Sequence, residues 1–200
     1  MAKIGRPLVM TVDERRSEIF NAAEKLFGEF GFEHVTMAQI ASEVGMSKKT
    51  LYIHFADKKE LLKALVTSSY IWAEFAFKDD ESDSINTLKN RLKVSAEHVL
   101  STRHIKLCRL AIAENISGDC FADTFYEMGI AKSRDYLIEA ISNIDSKKFI
   151  LNLDPEILAD MLFGASITKP FIDLLMIHRE INLNDIYKQI DVSVEALFQQ

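Results

Sequence analysis

Lys48, Lys49, Thr50, Tyr52, His54 and Lys58 crowd into one short stretch, and Thr36 and Ser47 place hydroxyls just ahead of it. Ammonium, hydroxyl, phenol and imidazole groups at such density donate hydrogen bonds to phosphate oxygens and to the acceptor atoms on base edges. The other chemistries that side chains support find no matching arrangement. The sequence has no HExxH and no phosphate-cradling glycine-rich loop, and Gly164-Ala165-Ser166-Ile167-Thr168 lacks the second glycine of a nucleophile elbow. Carboxylates are many but do not pair. Cys108, Cys120, His98 and His104 match no metal-ligand spacing, and two such thiols fit a reducing cytoplasm better than a disulfide framework. The reading is therefore of a binding protein, with no catalytic residue, resident metal or cofactor expected.

The contact-bearing residues require helices to present them. Thr36 followed by Gln39, with Ile40 and Val44 at helical spacing, reads as a capping box opening one helix. Gly45 supplies the left-handed position that ends it. Ser47 caps the next helix, about eight residues long and roughly 12 Å at 1.5 Å per residue, enough to lie in a major groove. Leu51 and Phe55 hold one side of that helix inward, so Lys48, Lys49, Thr50, Tyr52, Ile53 and His54 share its outer faces. Asp57 followed by Glu60 opens a further helix. An earlier one follows Thr11, with Glu14 completing its capping box; Ile19, Ala22, Ala23, Leu26, Phe27 and Phe30 form its apolar stripe until Gly31 stops it.

Apolar residues keep helical spacing through the rest of the 200-residue chain, and no run alternates with the period of a strand. The fold class is all-α: a three-helix helix-turn-helix domain over 1–65 with a short N-terminal arm, then a larger helical domain over 66–200. In the second domain helices are expected at about 85–101, 103–116, 120–142, 155–178 and 183–198, with Pro170 kinking or splitting the fourth. The acidic stretch 78–84 reads as a solvated loop. Net charge is −6, which looks adverse for binding a polyanion. Residues 1–65, however, hold 10 Lys and Arg against 9 Asp and Glu, leaving the acidity in the remainder; a local cluster of Lys48, Lys49, Lys58, Lys59 and Lys63 is what matters for docking. The N-terminus lacks the apolar run of a signal peptide, and the stretch from Ile157 to Ile177 is broken by Asp160, Lys169, Pro170 and Asp173, so it reads as a buried helix and not a membrane span.

Eleven residues at fixed spacing, Thr36, Ile40, Ala41, Gly45, Ser47, Thr50, Tyr52, His54, Phe55, Lys58 and Leu61, give the chain a pattern that resembles the TetR/AcrR family of bacterial transcriptional regulators. The resemblance covers roughly residues 11–65. It implies that the helix after Gly45 enters the major groove, with Lys48, Lys49 and Thr50 facing the bases. Thr36, Tyr52 and His54 then fall at phosphate-contacting positions, Ser47 at the helix start, and Lys58 at the start of helix four, where the positive end of the helix favours a phosphate. Ala2 to Pro7 resembles a basic arm, with Lys3 and Arg6 available to the duplex. The resemblance further implies a homodimer on a palindromic operator and a C-terminal cavity for a small, largely apolar effector that releases the protein from DNA. Trp72, Phe75, His98, Arg109, Phe125, Tyr126 and Met161 are the expected cavity residues, and Glu97, Arg103, His104, Glu114 and Asn115 are further polar handles. The alternative is a DNA-bound architectural or protein-partner module with no small-molecule inducer. A fully packed C-terminal core would favour that alternative; a roomy pocket with few polar groups would favour a sensor.

Overall fold

Local capping chemistry sets the N-terminal helices. In the computed structural model, which describes residues 11–76, 83–114, 120–177 and 180–199 (side chains excepted at 70–76, 114, 120 and 121), α1 runs Val12–Phe30. Thr11 Oγ1 accepts from the Glu14 N–H at 3.2 Å, and Glu14 Oε2 accepts from the Thr11 N–H at 2.7 Å. Gly31, at φ 81°, ends the helix. Helix α2 spans Met37–Glu43, and its Thr36–Gln39 box closes with bonds of 3.3 and 2.8 Å. The chain then turns at Gly45, φ 69°, where the Met46 N–H reaches Ala41 O at 2.9 Å and the Gly45 N–H reaches Ser42 O at 3.1 Å. That pair of bonds is the Schellman arrangement, which needs a left-handed residue and so selects glycine. Helix α3 spans Lys48–His54, capped by Ser47 Oγ on the Thr50 N–H at 3.0 Å. Helix α4 spans Lys58–Ala76, with Asp57 Oδ1 accepting from the Glu60 N–H at 2.7 Å.

The chain forms two compact units, Met1–Leu65 and Val66–Gln200, and the division falls within α4. The first unit is built on the α1 stripe of Ile19, Phe20, Ala22, Ala23, Leu26 and Phe27, with Phe32, Val35, Ile40, Leu51, Phe55, Leu61, Leu62 and Leu65 also buried. Phe30 departs from the expected stripe and is 51% exposed, because Gly31 ends the helix just beyond it.

In the second unit α5 is Ser84–Val99, α6 Thr102–Glu114, α7 Cys120–Phe125, α8 Lys132–Ser142, α9 Pro155–Phe163, α10 Lys169–Ile177 and α11 Leu183–Glu195. Helix α5 packs on α8 and α11, α8 on α9, and α6 on α7 and α10. Leu88, Leu92, Ala96, Ile141, Leu158, Leu162, Ile167, Ile190 and Val194 are at the centre of the core. Two of the expected long helices are interrupted by π-helical turns, Tyr126–Ala131 between α7 and α8 and Gly164–Thr168 between α9 and α10. The expected effect of Pro170 takes this form: with no N–H to give to the preceding turn, it follows directly on a widened one. Helix α11 stops at Glu195 instead of about 198, since Leu197 O accepts from the Ile150 N–H at 3.0 Å and Phe198 forms an isolated antiparallel bridge with Phe149. No strand element occurs among the described residues, and none of their helices is long and apolar enough to cross a membrane. The N-terminal arm with Lys3 and Arg6, the heart of the acidic stretch, and the side chains of Trp72 and Phe75 lie outside what the structure describes.

Candidate nucleic-acid interface and C-terminal cavity

One side of α3 is anchored. Leu51 is fully buried, the Phe55 ring packs 5.7 Å from that of Phe20, and the Arg16 guanidinium sits 5.0 Å over the Phe55 ring. Rigid seating of a seven-residue helix leaves its other faces to solvent. Lys48, Lys49, Thr50 and Tyr52 are exposed there, Ile53 is 76% exposed, and His54 is half-buried beside Phe55. Lys48 Nζ lies 5.7 Å from the centre of the Tyr52 ring, within cation–π range, and Ser47 Oγ and Thr50 Oγ1 are 2.7 Å apart. The structure thus gathers Ser47, Lys48, Lys49, Thr50 and Tyr52 on one short exposed element. Thr36 is exposed at the start of α2, its hydroxyl engaged in the capping box.

The Lys58 side chain turns inward, while the expected phosphate position at the α4 start rests on backbone. Its ammonium donates to Phe32 O at 2.6 Å and Glu33 O at 3.1 Å and lies 4.3 Å over the Phe32 ring. The charge is spent on carbonyls after the end of α1, so the side chain ties the α4 start to the α1–α2 turn. What the α4 start retains for an anion is the positive end of its backbone dipole.

The second unit contains a cavity of about 310 Å³ bounded by Ser95, Val99, His104, Ile130, Ser133, Arg134, Leu137, Ala159, Asp160, Phe163, Gly164, Thr168 and Phe171. Its wall is mostly apolar, and both π-helical turns contribute to it, through Ile130 and through Gly164 and Thr168. His104 is buried, 4.7 Å ring to ring from His98, 5.5 Å from Phe125 and 6.3 Å from Phe171. Burial pushes its pKa down to about 4; for His98 burial, with His104 and Arg103 adding to it, pushes the pKa down to about 3. Both imidazoles are neutral at neutral pH. Arg134 Nε and Nη2 hold the two Asp160 oxygens at 2.8 and 3.0 Å, a planar fork on a carboxylate, and Glu156 Oε2 stands 3.4 Å from Nη2. That grip holds the Asp160 carboxyl below the usual range.

Residues 19–65 match the family model described as bacterial regulatory proteins, tetR family. Over those residues the chain carries a helix-turn-helix unit of the TetR type. An HTH-type transcriptional regulator of Staphylococcus aureus is 27% identical to this chain over 173 residues, 85% of the chain and 86% of the relative. Further curated relatives match over shorter stretches, with this chain spanning about half of their length or less. Among solved structures, the flavonoid-responsive regulator FrrA superposes with a TM-score of 0.72 at 20% identity, covering 94% of this chain and all of that one. SmeT, the repressor of the Stenotrophomonas maltophilia multidrug efflux pump SmeDEF, superposes at 0.65 and 19% identity, covering 92% and 91%. These likenesses establish the fold, helix-turn-helix unit first and larger helical unit after, and the relatives are regulators, not enzymes.

The second unit seats the expected cavity residues unevenly. Phe125 is buried against His104, and His98 packs on the same imidazole, so both back the wall without lining it. Tyr126 and Met161 are 54% and 41% exposed and lie outside this lining. Arg109 is occupied elsewhere: its guanidinium donates to Leu174 O at 2.7 Å and Leu175 O at 3.1 Å, capping the last carbonyls of α10 from α6. Sequence reasoning named His104 only among possible polar handles and missed Ser95, Arg134, Asp160 and Thr168. The signal it lacked is tertiary, since Arg134 and Asp160 meet across 26 residues. Cys108 is buried, and burial pushes its thiol up to about 12. Among the described residues no group of His, Cys, Asp and Glu could hold a metal.

Proposed function

We propose that this chain is a regulator of the TetR family, a cytoplasmic homodimeric repressor that binds a palindromic operator through α3 and leaves it when a small, largely apolar molecule fills the C-terminal cavity. The observation that carries the reading is α3 itself, pinned by Leu51 and Phe55 while Lys48, Lys49, Thr50 and Tyr52 project from it. The proposed division of labour gives residues 1–65 the DNA and residues 66–200 the effector and the partner subunit. Lys48, Lys49 and Thr50 meet base edges; Thr36, Ser47, Tyr52 and His54 take phosphates. Exposed Ile157, Met161, Ile172 and Met176 on α9 and α10 supply apolar surface for a second copy. Two-fold symmetry then matches two half-sites separated by whole helical turns.

The roomy, mostly apolar cavity favours a sensor over an architectural module. Repression with release by a small molecule is also in keeping with a repressor and a flavonoid-responsive regulator among its structural neighbours. Effector coupling requires a difference in affinity between two states; moving a population from 1:99 to 99:1 takes about 5.5 kcal/mol. The test is selection of bound fragments from a random duplex pool, followed by titration of the selected operator. A two-fold symmetric site bound by a dimer and weakened by cavity-filling compounds is the expected result. Binding unchanged at saturating compound would reject the release mechanism, and failure to bind any duplex at low salt would reject the whole reading.

A further inference from the structure

We propose that Asp160 sets the chemical class of molecule the C-terminal cavity accepts: by occupying Arg134 it reserves the space for uncharged, largely apolar compounds. This rests on the effector-site reading above and deepens it. Arg134 and Asp160 are the lining residues that carry full charge, since His104 is neutral in its buried setting. They satisfy each other through two parallel bonds of 2.8 and 3.0 Å, and Glu156 adds a second carboxylate at 3.4 Å. The group of three carries a net negative charge at the solvent-reachable edge of the cavity, with the Arg134 side chain 37% and that of Asp160 63% exposed.

An anionic ligand would have to displace Asp160 from a bidentate fork and then lie beside two carboxylates. A cationic ligand is drawn to Glu156 and Asp160 at the edge, but an ammonium carried past them into the apolar chamber loses its hydration and stands against the Arg134 guanidinium. An uncharged molecule disturbs neither, and it gains from the apolar wall of Val99, Leu137, Phe163 and Phe171.

The test uses the full-length protein and matched probes on three skeletons, phenylpropyl, naphthylmethyl and octyl, each as alcohol, carboxylate and amine, with affinity read by calorimetry and operator release by anisotropy. In the unaltered protein the alcohol of each set is expected to bind about tenfold or more tighter than its charged partners. In the Asp160→Asn, Glu156→Gln variant the guanidinium is released, and the carboxylate should gain about tenfold or more while the alcohol stays within about threefold. Arg134→Met should keep the alcohol and give the carboxylate no gain, which separates anion capture from general loosening of the fold. Preference for a charged member in the unaltered protein, or an unchanged preference in the released variant, overturns the proposal. No binding by any probe overturns the effector-site reading itself, and binding without operator release removes the release mechanism while leaving the charge preference to be read directly.

Discussion

Lys58→Met separates an internal clamp from a phosphate contact. Two charge-assisted bonds to carbonyls and one cation–π contact are removed by the change. Bonds to a charged group are worth about 1.5 to 3 kcal/mol each, and an exposed cation–π contact about 0.5 to 1. Lys58 is only half-buried, so the low end applies, giving about 3.5 to 4 kcal/mol gross. Against this stands the rotamer freedom that an ordered lysine gives up, about 1.5 to 2 kcal/mol. The net expectation is a loss of about 1.5 to 2.5 kcal/mol, a factor of roughly 10 to 60 in the folded ratio. Urea titration monitored by circular dichroism measures it, with the salt dependence of operator binding measured in parallel below the unfolding range. A clamp predicts lower stability and an unchanged salt slope for the folded protein. A lysine that neutralises a phosphate predicts the reverse, a slope reduced by about 0.9 with stability intact. The second pattern would refute the clamp.

Lys48→Ala should weaken operator binding by about 1 to 3 kcal/mol if the ammonium reads a base, whereas Tyr52→Phe should weaken operator and random duplex alike, both checked by competition anisotropy. Gly28→Ala should raise the urea midpoint by the equivalent of about 0.5 to 1 kcal/mol, because Gly28 is inside α1 and a Cβ there meets no atom within 4 Å. Acidification should destabilise the second unit: the folded pKa values of His98 and His104, about 3 and 4, lie below the ordinary value of 6.5, so the unfolded chain binds more protons between them. Stability present at neutral pH is then lost as pH falls from about 6.5 towards 4, by at most about 1.4 kcal/mol per unit per histidine. Melting curves of His98→Gln and His104→Gln variants across that range should show a flatter dependence.

The N-terminal unit was legible because its punctuation is local. Thr11 with Glu14, Thr36 with Gln39, Gly45 and Ser47 each act on backbone within a few residues, so their chemistry can be read in order along the chain. Lys58 was not legible in that way: nothing in its neighbourhood says that its ammonium folds back onto carbonyls 25 and 26 residues earlier. The same limit governs the cavity. Aromatic content located the apolar unit, but which side chains face an interior space depends on the rotation of each helix. Arg109 and Tyr126 were placed in the wall by residue type, while packing turned one to cap α10 and the other towards solvent. The π-helical turns leave no mark in the sequence for a related reason, since one extra residue hardly disturbs an apolar stripe at helical spacing.

The widened turn at Gly164–Thr168 lets the chamber absorb a change in chain length. A π turn houses about one residue more than an α turn over nearly the same rotation, so excising Ala165 would restore regular winding and leave α10 on its present face. Phe171 would keep its place in the wall, and the redrawn lining would be confined to the segment that carries Gly164 and Thr168. A single in-frame deletion of one codon can therefore trim this chamber locally without repacking the helix beyond it.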